Sequence, residues 1–393
     1  MELVDEAVYL AKRSGAVSHI VGVGSGAALD CAKAVSSILS CPDDDVSSCS
    51  EYIQNMAQNT YNGDNNATNS GKHVRLTLAP TTLGAVMASM SNSSLLLDPH
   101  EEALIPCPLL QHIIINDDDT RLTDDTSSSV NTTGVNVSVT LDSSQLYTSE
   151  HNRADRSGEG GMGASIQEAA LASLAICLDD VLFRIHSGNG NDQNYVQLVK
   201  DDPILHAALE SVKQVLTAAP SNDAEESNNE LMQRHAISAC LHAGQLLRFG
   251  VHGNQQQQIP RSMPIALASA LLPRYFPHGN LLTFWAATAS GMCAATAQNS
   301  AYQDHPALMD LTEFLIADTA ENDDHTYTLS DLYEWTRTRQ KKESIVSLAG
   351  LAEGAPDVGA MCGALDSNRA LLGDLDAPYD LLLEDIVRYS LNQ

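Results

Sequence analysis

The chain has 393 residues, enough for two buried cores at the usual domain size of about 100–200 residues. Its 21 Lys+Arg stand against 50 Asp+Glu, a formal charge of −29 at pH 7. Such a surface repels phosphate backbones and anionic bilayers, so neither a nucleic acid nor a membrane is an expected partner. No run of about 18 uninterrupted apolar residues marks a membrane span, and the first residues read as an amphipathic helix, not a secretory leader. The eight cysteines are scattered without a CxxC pair. That is the pattern of free thiols in a reducing compartment, and a cytoplasmic location is expected.

Residues 4–13 read as a helix, 19–23 (HIVGV) as a short strand running into glycine, and 27–39 as a second helix. The polar, low-complexity stretch at about 41–72 has few apolar anchors and is expected to be a disordered insertion. Residues 74–79 (VRLTLA) alternate like a strand, and 113–115 form a short apolar run. This alternation predicts a parallel sheet with helices on its faces. The glycine-rich stretch 150–163 is the expected boundary. Beyond it, helical spacing covers 164–183, 204–218, 230–249, 262–275, 281–298, 306–319, 331–340 and 379–391, with almost no strand signal. The expected plan is an α/β domain over 1–150 and an all-α domain over 151–393.

Two segments carry ligand-binding chemistry. In VGVGSGAALDCAKA (21–34) a strand meets Gly24-Ser25-Gly26 and passes directly into a helix. Glycines allow a tight turn and close ligand approach, and a helix N-terminus offers N–H groups and a positive dipole end to a phosphate. Asp30 and Lys33 lie one turn further on. A plain strand-to-helix packing turn is the competing reading. The second segment, Pro80-Thr81-Thr82-Leu83-Gly84, also follows a strand. It supplies hydroxyl and N–H donors at the end of an α/β sheet where ligands bind. The GEGGMGAS run at 158–165 mimics a P-loop, but Ala164 replaces its lysine and no strand precedes it.

Together these segments resemble the iron-containing alcohol dehydrogenase superfamily, which includes glycerol dehydrogenases and maleylacetate reductases. Gly24 through Lys33 match its GGGSxxDxAK pattern, with Ser25 for a glycine and Ala27 for the serine. Pro80 to Gly84 match the start of PTTxGTGSE, while Ala85-Val86-Met87-Ala88 depart from the rest. Pro277-His278-Gly279 match the family's PHG. The resemblance implies an α/β dinucleotide-binding domain followed by a helical domain. NAD or NADP would be held by Gly24, Ser25, Gly26, Ala27, Asp30 and Lys33, with Thr81, Thr82 and Gly84 on the nicotinamide side.

The family's metal ligands are not reproduced. TGVNVSVTLD, set on TGxDxxxHAxE, puts Asn136 at the aspartate position and Thr140 at the first histidine. Counting back from His278 puts Pro264 at the next ligand and Ala268 at the second histidine of HAxAH. Asn and Thr are poor ligands for a transition metal, and proline has no ligand atom. His235, His242 and His252 are the histidines from which a rebuilt site would have to come. The family also carries strands ahead of the first helix seen here, so the sheet is expected to lack its first strands.

The expected activity is therefore a metal-independent, NAD(P)-dependent reduction of an aldehyde, ketone or oxo acid. His278, Arg261 and Arg274 would polarise the carbonyl and supply the proton. The alternative is a catalytically degenerate member acting as a binding or scaffold protein. A homo-oligomer and a small-molecule substrate are the expected partners.

Overall fold

A computed structural model describes residues 1–41, 46–57, 74–109, 128–131, 137–141, 166–187, 201–218, 225–249, 261–277, 279–317, 327–343, 345–352, 354, 357–369 and 377–392. The chain divides into two compact units. The first comprises Met1–Tyr147 with Arg248–Arg261, the second Thr148–Leu247 with Ser262–Gln393.

The first unit opens with helix α1 (Glu2–Ser14), which buries Val4 and Val8, one turn apart. Acids in its first turn and Lys12 and Arg13 in its last complement the helix dipole. Strand β1 (His19–Gly24) leads into α2 (Gly26–Leu39), and β2 (Arg75–Pro80) leads into α4 (Leu83–Met90). Between them lies helix α3 (Cys49–Ala57). A hairpin of β3 (Ser93–Asp98) and β4 (Ala103–Pro108) follows, then β5 (Ser128–Asn131) and β6 (Val137–Leu141). The four-stranded sheet has the order β1-β2-β6-β5. β1, β2 and β6 are parallel, and β5 is an antiparallel edge. The fold class expected for this half is the one observed.

Side-chain alternation decides which face of the sheet is covered. Leu76, Leu78 and Val139 are buried on one face. There Gly22 lets α2 come so close that an added Cβ would lie 2.6 Å from the Ala32 Cβ. Val21 and Val23 point the other way and are 58 % and 61 % exposed. Among the described residues, β1 has a sheet neighbour on one side alone.

Two expectations need correction. Part of the stretch 41–72, expected to be disordered, is the helix α3, and Val46, Cys49 and Tyr52 around it are fully buried. These few apolar anchors are enough because they seat in a core built by α1, α2, β3 and β4. The rest of that stretch, like 113–115, lies outside the described residues. Residues 137–141, matched above to a helical metal-binding motif, form strand β6 in register with β2. Val137, Val139 and Leu141 recur with period 2 and are β-formers, and that pattern prevails over the motif match.

The second unit is helical throughout its described residues. It holds α5 (Ile166–Ser187), α6 (Pro203–Thr217), α7 (Glu225–Leu246), α8 (Met263–Tyr275), α9 (Leu281–Gln298), α10 (Pro306–Ile316), α11 (Leu329–Lys342), α12 (Leu348–Leu351), α13 (Val358–Arg369) and α14 (Ala377–Leu391). Its core is built on α9, which is buried from Leu282 to Ala297 and packs against α5, α11 and α14. Small residues make that possible. A Cβ on Gly291 would overlap the Ser390 hydroxyl of α14. Two interior polar side chains pair there: Gln340 of α11 donates to the Ala286 carbonyl at 2.6 Å and accepts from Ser290. No described helix is long and apolar enough to cross a membrane.

Candidate functional site

The candidate site lies at the carboxyl ends of β1 and β2. These strands are parallel and paired out to Gly24 opposite Pro80, so their two following turns lie side by side. Each turn opens a helix. Gly24 has φ +137°, a conformation that favours glycine, which is how the chain leaves β1 and enters α2 without a longer loop. Ser25 is the N-cap of α2, and its side chain makes no capping bond. Ser25, Ala27 and Ala28 are exposed, so the first turn of α2 faces solvent. Thr82 caps α4, its Oγ1 accepting from the Ala85 amide at 3.1 Å.

The turns are tied together by the Thr81 amide, which donates to the Gly24 carbonyl at 3.0 Å. α2 passes close to α4 at Gly26, where an added Cβ would lie 3.7 Å from the Ala88 Cβ. Neither helix has an acidic residue in its first turn. Two N-terminal dipoles with no competing carboxylate make this end of the unit attractive to an anion, at about 0.3–1 kcal/mol for each exposed terminus. Sequence reasoning found both turns but missed the Thr81–Gly24 bond that joins them, which follows only from the strand pairing.

Asp30 and Lys33 sit differently from the rest of the matched motif. Both are buried within the first unit. The Lys33 Nζ donates to the Ser91 carbonyl at 2.8 Å, the Ser91 Oγ at 2.9 Å, the Ser93 carbonyl at 3.3 Å and the Ala88 carbonyl. It therefore binds the C-terminal end of α4, where carbonyls lack helical partners. Asp30 accepts from the Leu95 amide. Burial pushes the Asp30 carboxyl up to about 7 and pulls the Lys33 ammonium down to about 8, each opposed by the other's charge. This pair locks α2 to α4 and β3 behind the two turns.

The three residues expected to act on substrate are not described as one constellation. Arg261 groups with the first unit; it is buried, and its Nε donates to the Phe249 carbonyl at 3.1 Å. Burial pulls its guanidinium down to about 10, which leaves it cationic at neutral pH. Arg274 stands exposed in the last turn of α8 in the second unit. His278 lies outside the described residues.

Pro264, matched above to a metal ligand, and Ala268, matched to the second histidine of HAxAH, are buried in α8. The Pro264 carbonyl accepts from the Trp285 indole N–H at 2.8 Å. Packing thus takes up the one polar atom at that position, and the residues there do not fit a metal. Thr140 stands in β6, and Asn136 lies outside the described residues. His242 bonds the Ser238 carbonyl of its own helix at 2.8 Å, and His252 lies outside the described residues. Among the described residues no group of three His, Cys, Asp or Glu side chains is placed to hold a metal ion.

No sequence-family profile matches the chain, and no curated protein matches it by sequence. Solved structures do match it. An archaeal halo-thermophilic alcohol dehydrogenase from a Red Sea brine pool superposes with a TM-score of 0.59 at 14 % identity, over 99 % of this chain and 81 % of that one. The fold is that of the iron-containing alcohol dehydrogenases. Sulfoacetaldehyde reductase from Bifidobacterium kashiwanohense, solved in complex with NAD+, gives 0.55 at 14 % identity over 99 % and 80 % of the two chains. The aldehyde reductase YqhD from E. coli gives 0.56 at 13 % identity over 100 % and 81 %.

Proposed function

We propose that the chain is an oxidoreductase that uses NAD or NADP to reduce a small aldehyde, ketone or oxo acid in the cytoplasm, without a metal. The observation that carries this reading is the pair of joined turns, Gly24–Ala27 and Thr81–Gly84, each opening a helix without an acid in its first turn. A pyrophosphate fits there: its charge meets two helix N-termini, and the positive φ of Gly24 keeps side-chain bulk out of the turn. A structural neighbour supports it, since the sulfoacetaldehyde reductase was solved in complex with NAD+.

The nicotinamide, when bound, supplies the hydride. This chain's residues would do the rest. Ser25 and Gly26 hold the pyrophosphate, and Thr81 and Thr82 orient the ring end. His278, Arg261 and Arg274 are the candidates to hold an anionic substrate and deliver a proton. Arginine suits an oxo acid, whose carboxylate it binds bidentately.

The test is cofactor binding first and turnover second. Thermal unfolding with NAD(H) or NADP(H) should show a rise in Tm for at least one, because a ligand of the folded state stabilises it. Loss of reduced-nicotinamide absorbance with a panel of aldehydes, ketones and oxo acids should follow. No Tm rise with any of the four overturns the reading. A Tm rise with no turnover supports the degenerate binding protein, which the closure of Pro264 by Trp285 favours.

A further inference from the structure

Half of the chain's eight cysteines fall in one core cluster of the first unit, away from the ligand turns. Cys49 and Cys107 are fully buried there, with Cys41 nearby and Cys31 at the partly buried edge. Cys49 is the first residue of α3, and Cys107 is the penultimate residue of β4. Two contacts hold these elements together. The Tyr52 hydroxyl, one helical turn after Cys49, donates to the carbonyl of Pro108, next to Cys107, at 2.8 Å. The two thiols hydrogen-bond each other.

We propose that Cys49 and Cys107 are a reversible redox pair, a buried dithiol that peroxide converts to a disulfide joining α3 to β4. The chemistry is asymmetric in a useful way. The bond from the Cys107 thiol holds Cys49 below the usual thiol range, against burial and the nearby Asp5 carboxylate. The same bond, with burial, pushes Cys107 well above that range. The start of a helix also favours a thiolate at Cys49. Cys49 is thus the attacking sulfur and Cys107 the resolving one.

The steps balance. The Cys49 thiolate attacks one oxygen of hydrogen peroxide; the O–O bond breaks, hydroxide leaves, and Cys49 becomes a sulfenic acid. The Cys107 sulfur then attacks the Cys49 sulfur, forming the S–S bond and expelling the oxygen as water with the Cys107 proton. Two electrons pass from the two sulfurs to the peroxide. A dithiol reductant reverses the change by exchange. Peroxide is small enough to enter through local opening of the nine-residue helix α3.

The full chain, treated with hydrogen peroxide under native conditions, alkylated and digested, decides the matter by mass spectrometry. The expected product is a Cys49–Cys107 linked peptide pair, lighter by two hydrogens, with two thiols lost per chain and both restored by a dithiol reductant. A Cys107→Ala variant should instead accumulate a Cys49 sulfenic acid that dimedone traps. Oxidation confined to Cys31 or Cys362, or a disulfide between any other pair, overturns the proposal. The mapping on the unaltered chain decides even where the variant does not fold.

Discussion

The end of the first unit that carries the two turns and the α8–α9 contact of the second unit use backbone polar groups in opposite ways. At the turns, Gly24, Ser25 and Gly26 bring main-chain groups to an exposed helix start, and the first turn of α2 carries no acid. At α8, the Pro264 carbonyl is sealed by the Trp285 indole, and its neighbours are apolar and buried. The first arrangement keeps polar groups available to a ligand, and the second removes the last one from reach. Polar main-chain groups are thus left accessible in one unit and enclosed as core in the other.

The sharpest way to break this contrast is to remove what stands behind the turns. Lys33→Met deprives buried Asp30 of its partner and strips the carbonyls of Ala88, Ser91 and Ser93 of their donor. Breaking a buried pair costs about 3–5 kcal/mol, so urea unfolding should show a loss of that order. Asp30→Asn combined with it should recover part of the loss.

Trp285→Phe probes the closed region. It should cost about 1 kcal/mol by removing the indole's hydrogen bond to the Pro264 carbonyl. The nucleotide-induced rise in Tm should persist in this variant, and its disappearance would contradict the separation of the two regions. Thr82→Ala removes a cap and should cost about 1 kcal/mol in chemical denaturation. Here the Tm rise with nucleotide should shrink as well, because the same turn is placed on the ligand.

A pH slope probes the same buried pair without removing Lys33. Asp30 titrates near 7 in the folded chain and near its ordinary 3.8 when unfolded, because burial favours the neutral acid. Between those values the folded state binds more protons than the unfolded one, so this group's contribution to stability declines as pH rises from about 4 to about 7. Below pH 4 the contribution is fully present. Comparing unfolding free energies of the parent chain and Asp30→Asn across that range isolates the slope, and equal slopes would remove Asp30 from the account.

Much of the fold was legible along the chain. The strands and helices around residues 2–39, β2, and most helices of the second unit follow from local periodicity, because each buries one stripe or face. Helix α3 was not legible: its window is polar, and Cys49 and Tyr52, with Ile53 and Met56 beside them, seat it in a core assembled from distant segments. Strand β6 was legible in the alternation of Val137, Val139 and Leu141, but a motif match on Thr133-Gly134 obscured it. The glycine turn was legible as a candidate site, whereas the roles of Asp30 and Lys33 were not. Their acceptors and donors come from α4 and β3, some sixty residues away.

The sequence by itself determined that this is an acidic two-part chain, α/β and then helical, with a glycine turn and a PTT turn each following a strand. Those properties depend on composition and on spacing within about a dozen residues, which no distant partner alters. Only the tertiary structure decided that the two turns are bonded side by side, that Lys33 serves the interior, and that Trp285 closes the Pro264 carbonyl. It also decided that Cys49 meets Cys107. Each of these is a short-range bond between residues far apart in sequence, so each exists only once packing has brought its two sides together.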